Sequence, residues 1–358
     1  MSNPQKTVID FIYGAEKERA ALQPLYDYFN EQGISTRLVK IHRRNIFKGY
    51  IRDLAPYVVA SYDRTIDRVK DAGWRGKTIY VDHGLSPVKY YAYRYSTFHE
   101  IDLLFYPGPI FKTIMEVLNP AFKNGLLGGL PKMDGFIGVP VDKDGLIDSL
   151  GLDPDKPVVL FAPTWGGKYN PAWGIGNARY LENYPNLVIS PHPADRKAAA
   201  KFKAVLSPAS VSTNDLIKIA DVVISDVSSI VGEAALLGKP IIQLILPAYP
   251  GCFPLPDKRK TGVWLSKQSE QNFLARVDPE KRPFKLAYLD QDWIMGHTCS
   301  PEDLLETVSI ALSEGDHFAK ERQYWNQQNC YLPDGRTNAR LYEMIINFIH
   351  TGTLKQLG

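Results

Sequence analysis

The stretch Ala220-Asp221-Val222-Val223-Ile224-Ser225-Asp226-Val227-Ser228-Ser229, continued by Ile230 to Gly238 and then Lys239-Pro240, decides the fold. It reads as a buried strand, a polar turn, a helix and a stop, with Gly238 and Pro240 ending the helical pattern. A strand this continuously apolar is covered on both faces, as in parallel sheets. The same kind of run recurs around it at Val158–Ala162, Leu187–Ser190 and Ile241–Ile245. It recurs again before it at Val8–Tyr13, Tyr57–Ser61, Thr78–Val81, Leu103–Tyr106 and Phe136–Val139. Amphipathic stretches separate the runs. In Glu16–Glu31, Ala20, Leu22, Leu25, Tyr28 and Phe29 fall at roughly helical spacing, and Gly33 closes the pattern. This alternation predicts an α/β protein with doubly wound sheets. The pattern loosens over Asn124–Pro131 and Asp142–Lys156, where Gly and Pro concentrate, so two lobes are expected, 1–140 and 141–325. The remainder, 326–358, reads as a helical segment that packs back on the first lobe.

Composition narrows the function class. The 358 residues are 44% hydrophobic and 23% charged, enough for an unstapled core and against wholesale disorder. Lys plus Arg is 42 and Asp plus Glu is 39, a net charge of +3, too mild for a dedicated nucleic-acid binder. No run approaches the ~20 apolar residues of a membrane helix, and the opening MSNPQKTVIDFIYG does not read as a signal peptide. Three scattered cysteines, Cys252, Cys299 and Cys330, fit a reducing cytoplasm better than a disulfide framework.

In doubly wound sheets ligands bind beyond the carboxyl ends of the strands, so the residues directly after each run carry the functional expectations. After Thr78–Val81 come Asp82-His83-Gly84-Leu85-Ser86-Pro87-Val88-Lys89; His83 there is a candidate general base, or a structural loop histidine. After Val158–Ala162 come Pro163-Thr164-Trp165-Gly166-Gly167, where Thr164 and the backbone are able to hold phosphate oxygens or simply to form a turn. After Leu187–Ser190 come Pro191-His192-Pro193 and then Asp195-Arg196, suited to a pyrophosphate-bearing ligand. After Val222–Ser225, Asp226, Ser228 and Ser229 open a helix whose first N–H groups form an anion site, with a Ser cap as the simpler reading. Glu233 lies about one turn in, placed to accept from ribose hydroxyls. Asp290-Gln291-Asp292 resembles a DxD metal motif, but so short a pattern recurs by chance. The basic run Arg37, Lys40, His42, Arg43, Arg44, Lys48 and Arg52 encloses Ile46, Phe47, Tyr50 and Ile51. With the aromatic group Tyr90, Tyr91, Tyr93, Tyr95 and Phe98, it reads as a solvated face or as a contact for an anionic acceptor or membrane surface.

Taken in order, HGxSxxK at His83–Lys89, APTW at Ala162–Trp165, HP at His192–Pro193, SDxSS at Ser225–Ser229 and GKPII at Gly238–Ile242 resemble the CDP-glycerol glycerophosphotransferase family of teichoic-acid and capsule polymer enzymes. Asp334-Gly335-Arg336 with Arg340 resembles that family's C-terminal element. The resemblance implies a GT-B fold, two Rossmann-like lobes facing across a cleft, with an N-terminal acceptor lobe and a C-terminal nucleotide lobe. It implies His83 as base, and His192 with Ser228 and Ser229 at the donor's phosphates; by their own placement Thr164, Arg196, Asp226 and Glu233 are expected beside them on the donor side. Asp82 and Lys89 fall on the acceptor side. No metal and no cofactor are implied. The sequence departs from the family where Asp82 stands for Trp, Leu85-Ser86 for Thr-Pro, and Gly166 for the Arg that commonly follows PTW.

The expectation is therefore a cytoplasmic transferase that moves glycerol phosphate, or a related polyol phosphate, from a CDP-activated donor to a hydroxyl acceptor in cell-surface polymer synthesis. CDP-ribitol or a nucleotide sugar remains open as donor. The acceptor is a polyol phosphate or saccharide, with a lipid-linked acceptor and peripheral contact with the inner membrane face as further expectations. A nucleotide-sugar glycosyltransferase is the first alternative, supported by Gly232-Glu233-Ala234 and Gly238-Lys239-Pro240. An epimerase of UDP-N-acetylglucosamine type ranks below it, because no additional set of carboxylates is evident. A non-catalytic nucleotide-sensing scaffold is opposed by the two strand-end histidines.

Overall fold

The computed structural model describes residues 8–42, 51, 53–86, 93, 96–166, 172–245, 294–314 and 317–357. The first sheet holds β1 (Ile9–Tyr13), β2 (Thr36–Lys40), β3 (Tyr57–Ala60), β4 (Lys77–Val81), β5 (Leu103–Tyr106) and β6 (Gly125–Leu127). Their spatial order is β2-β1-β3-β4-β5-β6 and each pairing is parallel. The second sheet holds β7 (Val159–Phe161), β8 (Leu187–Ile189), β9 (Val205–Leu206), β10 (Val222–Ser225), β11 (Ile241–Leu244) and β12 (His297–Cys299). Its order is β12-β11-β10-β7-β8-β9, again parallel throughout. The chain runs outward from β7 to β9, then returns to β10 on the other side of β7. The strand order thus reverses between β7 and β10, where a doubly wound sheet opens a crevice.

The central strands are apolar because both their faces are covered. In β1, Ile9 and Phe11 face one apolar cluster and Ile12 faces another, all three fully buried. The last helix, Thr337–Thr351, supplies the first of those faces. It buries Leu341, Met344, Ile345 and Phe348 in the same cluster as Ile9, Phe11, Leu22 and Phe29. Tyr342 meets Phe29 edge-on at 4.8 Å, and Tyr57 donates its hydroxyl to the Ile349 carbonyl. The preceding helix, Ala319–Asn329, packs on the Ser229–Leu236 helix of the second lobe and on the Pro109–Leu118 helix of the first.

Three expectations need correction. Phe136–Val139 is no strand: Met133–Phe136 forms a short helix, and the sixth strand lies earlier, in the Gly-rich stretch read as a loosening of the pattern. A four-residue apolar run carries too little periodicity to tell a strand from a helix turn. The basic run is also not a uniform surface. Arg37 gives two hydrogen bonds to the buried Asp10 carboxylate and a third to the Asp53 carbonyl, and Lys40 pairs with Glu16. Arg43, Arg44, Ile46, Phe47, Lys48, Tyr50 and Arg52 lie outside the described residues. Of the aromatic group, Tyr93 and Phe98 are buried core residues, with rings 5.3 Å apart. Tyr90, Tyr91 and Tyr95 lie outside the described residues. Cys299 and Cys330 are buried free thiols, and Cys252 lies outside the described residues. No helix among the described residues is long and apolar enough to cross a membrane.

Because the last helix completes the first lobe, Ile345→Ala is expected to destabilise that lobe by about 2–5 kcal/mol, as for other large-to-small changes at a fully buried site. Urea denaturation followed by fluorescence checks this. A loss under about 0.5 kcal/mol would mean that the helix is not an integral part of the core.

Candidate active site

The first half of the site is the turn after β4. Asp82 Oδ1 accepts from the backbone N–H of His83 at 2.6 Å and of Gly84 at 3.3 Å, fixing the turn just past the strand end. The His83 ring lies 2.8 Å, through Nδ1, from the Ser61 carbonyl at the end of β3. A carbonyl only accepts, so Nδ1 carries a proton, and in the neutral ring the lone pair then falls to Nε2. Tyr62 meets the ring edge-on at 6.0 Å, and the Lys17 ammonium lies 5.0 Å from the centre of the Tyr62 ring. Burial pushes the Tyr62 hydroxyl up from its ordinary range, so it stays protonated at neutral pH. Burial pulls the Lys17 ammonium down, while Glu18, Asp63 and Asp82 pull it back. Lys89, expected on this side, lies outside the described residues.

The second half gathers three strand-end turns around the β7/β10 switch point. Two buried carboxylates stitch them together. Asp226, 2% exposed, accepts from the Thr164 backbone N–H at 3.0 Å, from the Thr164 hydroxyl at 2.6 Å and from the Val227 N–H at 2.7 Å. Asp195, also buried, accepts from the Gly166 N–H at 2.7 Å. The turns after β7, β8 and β10 therefore form one braced unit. The hydroxyl proton of Thr164 thus goes to Asp226, so the two residues expected at the donor's phosphates also brace each other. One guanidinium nitrogen of Arg196 donates to the Ser207 carbonyl at 2.6 Å.

His192 stands at the head of a short turn, Pro193–Asp195, and its Nδ1 accepts from the Ala194 N–H at 3.1 Å. The ring proton of the neutral form therefore sits on Nε2, the opposite tautomer to His83. Ser228 occupies the N-cap position of the Ser229–Leu236 helix, but its hydroxyl makes no capping hydrogen bond, contrary to the simple capping reading. The first N–H groups of this helix, its positive dipole end and two half-buried serines thus share one spot. Glu233, one turn in, is buried and accepts from Lys132 Nζ at 2.6 Å.

The two halves touch. A Cβ at Gly84 would lie 2.9 Å from Ser229 Cβ, and one at Gly232 would lie 3.0 Å from both Leu85 Cβ and the Leu85 carbonyl oxygen. Only residues without a side chain allow the histidine turn to press this closely on the helix. Ser86 donates its hydroxyl to the Val227 carbonyl at 2.7 Å and pins the contact. His83, Ser228 and Ser229 are thereby brought to one seam between the lobes. Sequence reasoning missed Ser61, Ser86, Asp195 and Lys132 as functional partners. Asp195 and Ser86 sat inside quoted motifs, whereas Ser61 and Lys132 offered no local signal. Among the described residues no three His, Cys, Asp or Glu side chains cluster as a metal site, and Asp290 and Asp292 lie outside those residues. A cavity of about 520 Å³ lies behind the same helix, lined by Leu236, Arg322, Asn326 and Cys330, away from the strand ends.

No curated protein sequence matches the chain. Among solved structures, the wall teichoic acid polymerase TagF is similar at 16% identity and a TM-score of 0.61, covering 97% of this chain and 90% of that one. A putative UDP-N-acetylglucosamine 2-epimerase from Listeria monocytogenes is similar at 14% identity and a TM-score of 0.60, covering 98% and 99%. The UDP-GlcNAc 2-epimerase of Neisseria meningitidis, bound to UDP-GlcNAc, follows at 12% identity and 0.58, covering 95% and 99%. At such identities the likenesses speak for the fold alone, which is of GT-B type. The sequence model of one family, CDP-Glycerol:Poly(glycerophosphate) glycerophosphotransferase, matches residues 92–246, the segment that contains the three stitched turns and the Ser229–Leu236 helix. Through residues 92–246, then, the chain carries the signature of the CDP-glycerol:poly(glycerophosphate) glycerophosphotransferases, as its ordered motifs implied.

Proposed function

We propose that this protein transfers glycerol phosphate, or a related polyol phosphate, from a CDP-activated donor to a hydroxyl acceptor in the synthesis of a cell-surface polymer. The observation that carries the reading is the seam itself: a histidine with a lone pair on Nε2 sits on a turn pressed against an uncapped helix N-terminus. The family signature over residues 92–246 supplies the donor class, and a TagF structure soaked with CDPG is among the similar folds.

In this mechanism the donor's phosphates lie over Ser228, Ser229 and the helix N-terminus, with His192 donating from Nε2. His83 Nε2 takes the proton of the acceptor hydroxyl while the Ser61 carbonyl holds Nδ1–H and steadies the ring. The acceptor oxygen attacks the β-phosphorus of CDP-glycerol. One P–O bond forms, the bond from the β-phosphorus to the bridging oxygen breaks, and CMP departs with its charge met by the serines, the helix dipole and His192. Asp226, Thr164 and Asp195 hold the shape of the site. A polymer of this kind is extended from a cytoplasmic nucleotide, so the inner membrane face is the station we assign to the enzyme, with a polyol-phosphate or saccharide acceptor. The epimerase neighbours share the fold to nearly the same TM-score as TagF, so the fold does not choose between the two activities and the family signature does.

Released nucleotide separates the readings. With CDP-glycerol and acceptor the expected product is CMP; release of a nucleoside diphosphate from a nucleotide sugar, or epimerisation of UDP-N-acetylglucosamine, would replace the proposal. His83→Ala is expected to cut turnover by ~10²–10⁴-fold with donor affinity little changed, and collapse of donor binding in that variant would reverse the assignment. Replacing Ser228 and Ser229 together with Ala is expected to weaken nucleotide binding by about 1–3 kcal/mol, read by calorimetry. Nitrogen-15 NMR of the imidazoles at neutral pH is expected to show a proton on Nδ1 of His83 and on Nε2 of His192. The same tautomer at both positions would contradict the base and ligand roles.

A further inference from the structure

The cavity behind the Ser229–Leu236 helix has no part in the mechanism above. Its volume is about 520 Å³, within the ~300–1,000 Å³ range of small-molecule sites. One wall is the end of that helix, at Ala235 and Leu236. A second is a stripe of the Ala319–Asn329 helix, on which Ala319, Arg322 and Asn326 recur at helical spacing. The third is the turn from Cys330 to Pro333. That turn is held in an unusual shape. Leu332 has a φ of +43°, in the left-handed region that a branched side chain rarely enters, and it is 40% exposed. Its carbonyl accepts from Arg340 at 2.5 Å and from the Asp334 N–H at 2.9 Å, while Arg340 also donates to the Asp334 carboxylate at 2.7 Å. The Asp334-Gly335-Arg336 element, together with Arg340, thus fixes one wall of the cavity.

The lining sets the chemistry of the occupant. Leu236, Leu332, Pro333 and Cys330 give it an apolar body, and burial pushes the Cys330 thiol up to about 12, so it is uncharged at neutral pH. Apolar space of this kind takes an apolar molecule in preference to water. One polar atom of the lining adds a further condition. Asn326 Nδ2 donates to the Ala235 carbonyl at 2.9 Å, which fixes the orientation of the amide. Its Oδ1 is buried and has no hydrogen-bond partner among the described residues. That oxygen only accepts, so the occupant has to donate. An ionised carboxylate has no proton to give. An ammonium group has, but it meets the fixed charge of Arg322, 3% exposed in the same lining. We propose that the cavity is a second ligand site, separate from the seam between the lobes, for an aliphatic alcohol. The chain lies against Leu236 and Leu332, and the hydroxyl donates to Asn326 Oδ1. This assignment does not depend on where the nucleotide binds.

Titration of 1-octanol into the full chain, followed by methyl NMR of carbon-13-labelled leucines, tests the site. Saturable shifts centred on Leu236 and Leu332 are expected. 1-Methoxyheptane, an isomer of octanol without a donor, is expected to bind about tenfold more weakly, the worth of one hydrogen bond. Octanoate and octylammonium are also expected to bind more weakly than the alcohol. Monooleoylglycerol in phosphatidylcholine vesicles offers the same hydroxyl on a lipid, so the arm in which both leucines shift distinguishes a free alcohol from a lipid one. Asn326→Leu is expected to bind octanol and its isomer alike. Should that variant fold poorly because the Ala235 carbonyl loses its donor, Leu236→Trp fills the cavity from a half-buried position and is expected to abolish the Leu332 shift with every probe. If neither octanol nor the glyceride shifts the two leucines, the proposal falls. It falls equally if the ether or octanoate binds as tightly as octanol, or if the Leu332 shift survives in Leu236→Trp.

Discussion

Everything at the site depends on how closely two backbones approach one another. The turn after β4 lies against the first turn of the Ser229–Leu236 helix, with Gly84 and Gly232 at the points of contact. A methyl group at Gly84 would meet the Cβ of Ser229, which has no flexible stem to move aside. Closeness here does chemical work. It brings the turn that carries the imidazole of one lobe against the first turn of a helix of the other. The braces behind the contact are polar: the buried Asp226 and Asp195 on one side, the partly exposed Asp82 and the Ser61 carbonyl on the other.

The two histidines illustrate how the backbone assigns roles to identical side chains. One imidazole faces a carbonyl and the other faces an N–H, so their protons settle on different nitrogens. Neither orientation requires a carboxylate partner of the kind found in a catalytic triad, although Asp82 Oδ1 lies 3.6 Å from His83 Nδ1.

The sequence made the strand ends legible, because apolar runs terminate abruptly and the residues after them are short, polar or glycine. His83, His192, Ser228 and Ser229 stand out as candidates in that pattern, and the ordered motifs single them out further. What the pattern did not carry was partnership. Asp226 and Thr164 have the right residue types for a phosphate site, yet they satisfy each other across 62 positions of chain. Glu233 finds Lys132 across 101 positions. A hydrogen bond between groups so far apart in the chain leaves no local periodicity. Secondary structure failed for a related reason: β6 and β12 have three residues each and β9 has two, too few for alternation to show. Arg37 and Lys40 looked like part of a basic face until Asp10 and Glu16 claimed them.

The last helix, Thr337–Thr351, sets an order on how this molecule comes into being. The face of the first sheet that carries Ile9 and Phe11 is covered in part by Leu22, Leu25 and Phe29 of the first helix, and is completed only when Leu341, Met344 and Ile345 arrive. During synthesis the second lobe is translated in full before that cover leaves the ribosome, so the earliest strands made are among the last to be sealed. Contacts that join opposite ends of a chain form slowly, and an apolar sheet face left open meanwhile invites association with other chains. The first lobe is thus the part of the molecule whose folding waits on the far end of the chain.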